Sequence, residues 1–167
     1  MSNMHCETTA SSIASRPAGF TLIEVMISVL VMSIGLLGLA SLQATSLRFN
    51  NDSSAQTQAA YLASDMADRM RANVSRVADY PGKAAGANAS CYTAAGCSPD
   101  EMAANDIQEW NQALATLPAG QGAITALAGG LYTITVMWDE QHSGATGTNC
   151  DPDDPNDLRC VSITTQP

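Results

Sequence analysis

A single carboxylate, Glu24, lies within the longest apolar stretch of the sequence, GFTLIEVMISVLVMSIGLLGL at 19–39. It is the only ionisable side chain between Arg16 and Arg48. A carboxylate in a membrane helix costs about 2.5–3.5 kcal/mol on insertion scales, and such groups normally have a partner. The pattern therefore predicts a functional role for Glu24. The alternative is a glutamate that only reaches the lipid headgroups from the end of the helix.

Cysteines offer either disulfide or metal chemistry. Four of the five lie downstream of the apolar stretch, at Cys91, Cys97, Cys150 and Cys160. An even count outside the membrane favours disulfides in an oxidising compartment. The spacings C-x5-C and C-x9-C do not match the common zinc patterns, so we expect no metal there. Among the three possible connectivities we predict the sequence-local pairs Cys91–Cys97 and Cys150–Cys160.

An aspartate-rich segment, CDPDDPNDLRC at 150–160, raises the question of calcium binding. Its carboxylates belong to Asp151, Asp153, Asp154 and Asp157. The EF-hand pattern fails, because Pro155 occupies a ligand position and no glycine precedes a distal glutamate. A solvated acidic loop is therefore favoured over a calcium site, and we expect no cofactor. As an exposed loop, the segment is a candidate surface for a partner.

The remaining reactive residues do not form an enzyme motif. His142 stands beside Ser143 without the Gly-x-Ser-x-Gly turn of a hydrolase. The sequence contains neither a phosphate-binding loop nor a dinucleotide motif. A net charge of −9 also argues against a nucleic-acid partner, which requires a basic patch. We therefore expect neither catalysis nor binding to nucleic acid.

The apolar stretch predicts a membrane-spanning helix. Residues 20–44 give 25 positions, which at about 1.5 Å each extend roughly 37 Å and cross a bilayer core of about 30 Å. A secretory signal places its cleavage site after the apolar run, whereas here the polar segment 1–19 comes before it. Cleavage would therefore retain the helix. Arg16 favours a cytoplasmic N-terminal segment, which puts the cysteines on the other side of the membrane.

The sequence Gly-Phe-Thr-Leu-Ile-Glu at 19–24, followed by the apolar run, resembles the processing motif of type IV prepilins and of type II secretion pseudopilins. The resemblance covers residues 16–45. It implies cleavage between Gly19 and Phe20 by prepilin peptidase and N-methylation of Phe20. It also implies that Glu24 neutralises the new amine of a neighbouring subunit in the assembled fibre. At an effective dielectric constant near 20 and about 4 Å, such a pair gains about 4 kcal/mol before desolvation.

Shorter phrases further along the chain resemble minor pilins of the PilV type, the type IV pilus modification proteins. These phrases are LASDMADRMRAN at 62–73, DIQEWNQAL at 106–114, and YTITVMWDE at 132–140 with GTNCDP after it. The resemblance implies a minor pilin that assembles with other minor and major pilins. Its head would be periplasmic and its helix would lie in inner-membrane lipid before assembly, and the protein would be extracellular in the pilus. Two alternatives stay open: a minor pseudopilin of type II secretion, and a membrane-anchored periplasmic binding module that does not assemble.

Helical periodicity continues beyond the membrane span. Apolar residues recur on one face at Ala55, Ala59, Leu62, Met66, Met70 and Val74. Asp65 and Arg69, four residues apart, can form an ion pair on this helix. We predict one helix over 20–80, with NNDSS at 50–54 as its weak point and a Tyr-Pro-Gly turn at its end.

The rest of the chain predicts one further helix and a few strands. Ser-Pro-Asp-Glu at 98–101 is a capping box with proline at the first helical position, and Trp110 belongs to the apolar stripe that follows. Alternation at 131–138 predicts a strand, and 158–165 and the shorter 123–127 are further candidates. A small antiparallel sheet is therefore expected.

Together these elements predict a pilin-like α+β fold with three segments. The first is a prepilin leader at 1–19, and the second is the long helix at 20–80, whose first part, 20–44, is transmembrane. The third is a globular head at 81–167. We expect the long helix to pack on the small sheet, with two disulfides helping to hold a head that has few aromatic residues.

Overall fold

A computed structural model describes residues 19–167, so the predicted leader lies outside the described residues except for Gly19. The chain consists of two compact units, of which the first ends at Thr45 and the second starts at Ser46. The described part of the first unit is almost entirely helical. The second unit contains the remainder of that helix together with the head.

The elements follow in the order predicted for an α+β fold. They are α1 (Leu22–Ala72), two 3₁₀ turns (Val74–Asp79 and Ala89–Tyr92), α2 (Pro99–Leu114), β1 (Gln121–Ala126), a third 3₁₀ turn (Ala128–Gly130), β2 (Tyr132–Trp138) and β3 (Arg159–Thr165). The strands form an antiparallel sheet in the order β1-β2-β3. Helix α1 continues through 50–54, where the sequence predicted a weak point.

The N-terminal part of α1 suits a lipid environment. Among the described residues, one helix is long and apolar enough to cross a membrane, and it is α1. The hydroxyl groups of Ser28 and Ser33 donate to the backbone carbonyls of Glu24 and Val29, each at 2.7 Å. These bonds satisfy polar side chains that lipid cannot solvate. The Glu24 carboxylate is consequently the group in this stretch that lipid tolerates least.

The C-terminal part of α1 forms one wall of the hydrophobic core. Its buried side chains are Ala59, Leu62, Ala63, Met66, Ala67 and Met70. They pack with Trp110 of α2 and with Ile134 and Val136 of β2, and Val161 and Ile163 of β3 lie against this cluster. The indole N–H of Trp110 donates to the Leu62 carbonyl at 3.0 Å, which satisfies a buried polar group. The predicted apolar face of α1 is therefore the face that packs on the sheet.

The α-helix ends at Ala72 rather than at Tyr80, so the predicted C-terminal boundary was wrong. Asn73 is buried and leaves the helical conformation, with φ −118° and ψ 45°. Its side-chain amide donates to the Pro99 carbonyl at 2.7 Å. Such a side-chain bond to a distant segment competes with continuation of the helix. Val74, predicted to be apolar core, is 57% exposed because it lies beyond this break.

Helix α2 begins as its sequence predicts. The Ser98 hydroxyl accepts from the Glu101 backbone N–H at 3.3 Å, and the Glu101 carboxylate accepts from the Ser98 backbone N–H at 2.8 Å. Pro99 occupies the first helical position, where a missing N–H costs nothing. This reciprocal cap sets the start of α2, and Trp110 of α2 is buried in the core as predicted.

Candidate functional site

The residues of the predicted processing motif lie immediately before α1. Gly19 and Phe20 are non-helical, and the Phe20 side chain is 82% exposed. Apart from its chain neighbours, no atom of the described residues lies within 4 Å of the position that a Gly19 Cβ would take. The peptide bond between the two residues therefore lies in an exposed, non-helical segment at the start of the described chain.

Thr21 caps the N-terminus of α1, a role that was not predicted. The backbone N–H of Glu24 donates to the Thr21 carbonyl at 3.1 Å and to its hydroxyl oxygen at 3.3 Å. The Thr-x-x-Glu spacing is a capping signature and was the signal available in the sequence. Glu24 thus lies in the first helical turn, where the helix dipole favours a negative charge. Its position at the helix start lowers the cost of carrying a carboxylate in an apolar segment.

Both sequence-local disulfides are present in the structure. Cys91 and Cys97 are bonded with a Cα–Cα distance of 4.6 Å, and Cys150 and Cys160 with 5.6 Å. The second bond packs against a small cluster formed by Met137, Ala145 and Leu158. It therefore anchors both ends of the acidic loop to β2 and β3.

The aspartates of the acidic loop bind the backbone of their own loop. Asp157 accepts from the Asp151 N–H at 3.1 Å, Asp151 from the Asp153 N–H at 2.9 Å, and Asp154 from the Asn156 N–H at 2.8 Å. These are the short turns that aspartate side chains stabilise. Over residues 19–167, His, Cys, Asp and Glu form no group of three or more that could hold a metal ion. These hydrogen bonds are a structural reason for the several aspartates in this loop.

Asp139, at the end of β2, is a buried carboxylate held by a tight turn. Its oxygens accept from the backbone N–H of Ser143 at 3.1 Å and from that of Gly144 at 2.8 Å. Burial opposes ionisation, but these donors favour the charged form more strongly and lower the pKa of Asp139. The Ser143 hydroxyl also bonds to Asp139, at 3.3 Å, and His142 beside it is exposed. The His-Ser pair noted in the sequence is thus part of a turn.

The lowered pKa of Asp139 predicts acid sensitivity. A carboxyl group whose pKa is depressed by folding contributes stability above its unfolded pKa of about 3.9, and that contribution is lost as the pH falls through the folded value. Urea unfolding of the full chain in micelles should therefore show a lower midpoint at pH 3 than at pH 6. Asp139→Asn should flatten this dependence, whereas Asp153→Asn in the exposed loop should not. An unchanged pH profile in Asp139→Asn would contradict the assignment.

A network of charged side chains joins α1 to α2. Arg69 lies 2.8 Å from Asp65, 3.2 Å from Asp106 and 2.5 Å from Glu109. The Tyr80 hydroxyl donates to the second oxygen of Asp106 at 2.5 Å. Only the Asp65–Arg69 pair was predicted, because the other contacts connect residues far apart in the sequence. The network holds α2 against α1 beside the hydrophobic core.

Burial and hydrogen bonds within this network shift the pKa values of three of its members. Burial opposes the charge on Arg69, but hydrogen bonds to Glu109 and Asp65 raise its pKa overall. Burial and the bond to Asp106 raise the pKa of Tyr80, so its hydroxyl remains a donor at physiological pH. Tyr92 donates to Glu109, and this bond together with Arg69 lowers the pKa of the Glu109 carboxyl. These contacts link α1, α2 and the segment that follows α1.

Two family models match consecutive parts of the chain. The prokaryotic N-terminal methylation motif matches residues 14–40, and the model described as type IV pilin Tt1218 (Tt1218-like) matches residues 41–108. Together they cover 14–108, which is more than half of the chain. The chain belongs to the type IV pilins. Comparisons with curated proteins and with solved structures return no significant match.

The family assignment indicates the general function of this chain. A type IV pilin is a structural subunit that assembles with other pilins, and the methylation motif implies processing by prepilin peptidase. The apolar N-terminal helix of this pilin fits anchoring in the inner membrane. The matched region contains all of α1 and the first part of α2, whereas the sheet and the acidic loop lie beyond it.

Proposed function

We propose that this pilin is a minor pilin of the PilV type that joins a pilus or its priming complex. The observation that carries the proposal is an exposed Gly19–Phe20 bond directly before a long apolar helix whose first turn holds Glu24. The phrases at 62–73, 106–114 and 132–140 favour the PilV type within the family. The head would then be periplasmic before assembly and extracellular afterwards.

Glu24 would act when helices leave the lipid and pack together. Cleavage after Gly19 creates a free amine on Phe20 of each subunit. The carboxylate of one subunit, carried at the start of its helix, can neutralise the amine of its neighbour. This pairing offsets the insertion cost of the charge and penalises a wrong register between subunits. Other minor and major pilins are the partners that this role requires.

Processing is the direct test of the proposal. Mass spectrometry of the membrane-bound protein should find a chain that starts at methylated Phe20. Gly19→Leu should accumulate precursor in the inner membrane, because a side chain before the bond crowds the peptide that is attacked. Ser28→Ala, on α1 beyond the motif, is the matched control and should be processed normally. A chain retaining Met1 in cells with active prepilin peptidase would contradict the assignment.

A minor pseudopilin of type II secretion is the second candidate. It is favoured by the same residues 19–24, because pseudopilins share the processing motif. The two functions differ in what is lost when the gene is deleted. Loss of piliation and twitching with normal secretion supports the pilus, whereas loss of secretion with normal piliation supports the pseudopilin.

A further inference from the structure

A groove of about 230 Å³ lies in the second unit, bordered by α1, the turn after α2 and the turn after β2. Its apolar wall is formed by Ala55, Leu117, Pro118 and Trp138. The space is far larger than one water molecule needs.

One carboxylate of the groove, that of Asp52, is balanced by no basic side chain within residues 19–167. Asp52 and Glu140 contribute carboxylates to its lining, and neither lysine nor arginine is among the lining residues. Glu140 is paired with Arg159 at 3.1 Å. Asp52 forms no ion pair within residues 19–167 and is half-buried. His142 is the remaining ionisable residue of the lining. The groove is therefore electrostatically suited to a cation.

Trp138 provides an independent observation in the same wall. It is 2% exposed, and its indole nitrogen is the one buried side-chain polar atom in residues 19–167 that lacks a hydrogen-bond partner. Trp110, the other tryptophan, bonds to a backbone carbonyl. An unpaired buried N–H costs about 1–3 kcal/mol, so its retention requires a reason. An acceptor brought into the groove by another molecule would supply one.

We propose that the groove receives a basic segment of a neighbouring pilin. A Lys or Arg side chain of that segment pairs with Asp52 and lies along the apolar wall, where rotation of the Trp138 indole would let its N–H donate to a backbone carbonyl of the segment. The inference rests on the proposed function, because such a neighbour exists only in an assembled complex. A different pilin is favoured over a second copy, because two chains of net charge −9 repel.

The test places a photo-crosslinking amino acid at Gln58, which lines the groove, in the full chain expressed in pilus-assembling cells. Mass spectrometry should map the crosslink to a Lys- or Arg-containing segment of another pilin. Asp52→Lys should reduce the crosslink at least about tenfold, because like charges facing each other are strongly unfavourable. Asp68→Lys reverses an exposed charge elsewhere on α1 and should leave the yield unchanged. Trp138→Phe, which removes the N–H donor together with part of a buried ring system, should reduce it about two- to tenfold.

The outcomes separate this inference from the proposed function. If other pilins co-purify with the chain but Gln58 crosslinks to lipid, to a segment without basic residues, or equally well in Asp52→Lys, the groove proposal fails by itself. If no pilin co-purifies at all, the proposed function fails and the groove proposal fails with it. A crosslink to a basic pilin segment that Asp52→Lys abolishes and Asp68→Lys preserves supports both.

Discussion

Replacing Glu24 with valine is expected to leave membrane insertion intact and to abolish incorporation into the pilin complex. Insertion should improve slightly, because the variant removes a group that costs about 2.5–3.5 kcal/mol in the membrane. Assembly should fail, because the amine of the adjacent subunit loses a pairing worth about 4 kcal/mol before desolvation. The measurement is the fraction of membrane-bound chain that co-purifies with other pilins, which we expect to fall at least about tenfold.

The position of the subunit follows from the same charge. A subunit at the extreme tip has no earlier neighbour, so its glutamate would remain an unpaired charge among packed helices. Because this chain retains Glu24, we expect it to lie just beneath another minor pilin. Crosslinking from positions near 24 should identify that partner. Ser28→Ala, one turn along α1, is the control and should assemble normally. Normal assembly of Glu24→Val would show that the carboxylate has no such role, as the non-assembling binding module predicts.

Replacing Asp106 with alanine should lower the free energy of unfolding by about 1–3 kcal/mol. The side chain is only 8% exposed and accepts from both Arg69 and Tyr80. Removing it leaves the buried Tyr80 hydroxyl without its acceptor, whereas Arg69 keeps Asp65 and Glu109. An unsatisfied buried donor costs about this much. Urea unfolding of the full chain in micelles, followed by tryptophan fluorescence, measures the change.

An exposed ion pair on the same helix provides the control. Asp68 pairs with Arg71 at 2.6 Å, and its side chain is 73% exposed. Asp68→Ala should change stability by less than about 1 kcal/mol. Equal costs for Asp106→Ala and Asp68→Ala would show that the network does not stabilise the head.

The features predicted correctly are those with local sequence signals. The capping box at 98–101 defines the start of α2, and alternating residues in β2 place Ile134 and Val136 in the core. The helical period of α1 identifies its packed face, including Met66 and Met70. Each of these patterns can be recognised within a few helical turns or within a single strand, so contacts between distant segments need not be known.

The missed features depend on contacts between distant segments. Asn73 ends α1 because its amide reaches Pro99, and Arg69 meets Asp106 and Glu109 across two helices. Two arginines in the last turn followed by Asn73 are a local signal of a helix end, but the Tyr-Pro-Gly turn further on has a stronger one. The strand pattern likewise does not reveal that the Trp138 N–H lacks a hydrogen-bond partner, because the pattern indicates only that the residue faces the core.

The acidic loop can diverge independently of the rest of the head. Its ends are joined to each other by Cys150–Cys160, and Asp151 and Asp154 bind amides within 150–160 rather than groups in the core. Lengthening a closed surface loop is also inexpensive, at about 0.6 kcal/mol for each doubling. In a chain with this arrangement, another loop sequence can replace this one between β2 and β3. The exposed surface of the loop can then change while the helices and the sheet stay the same.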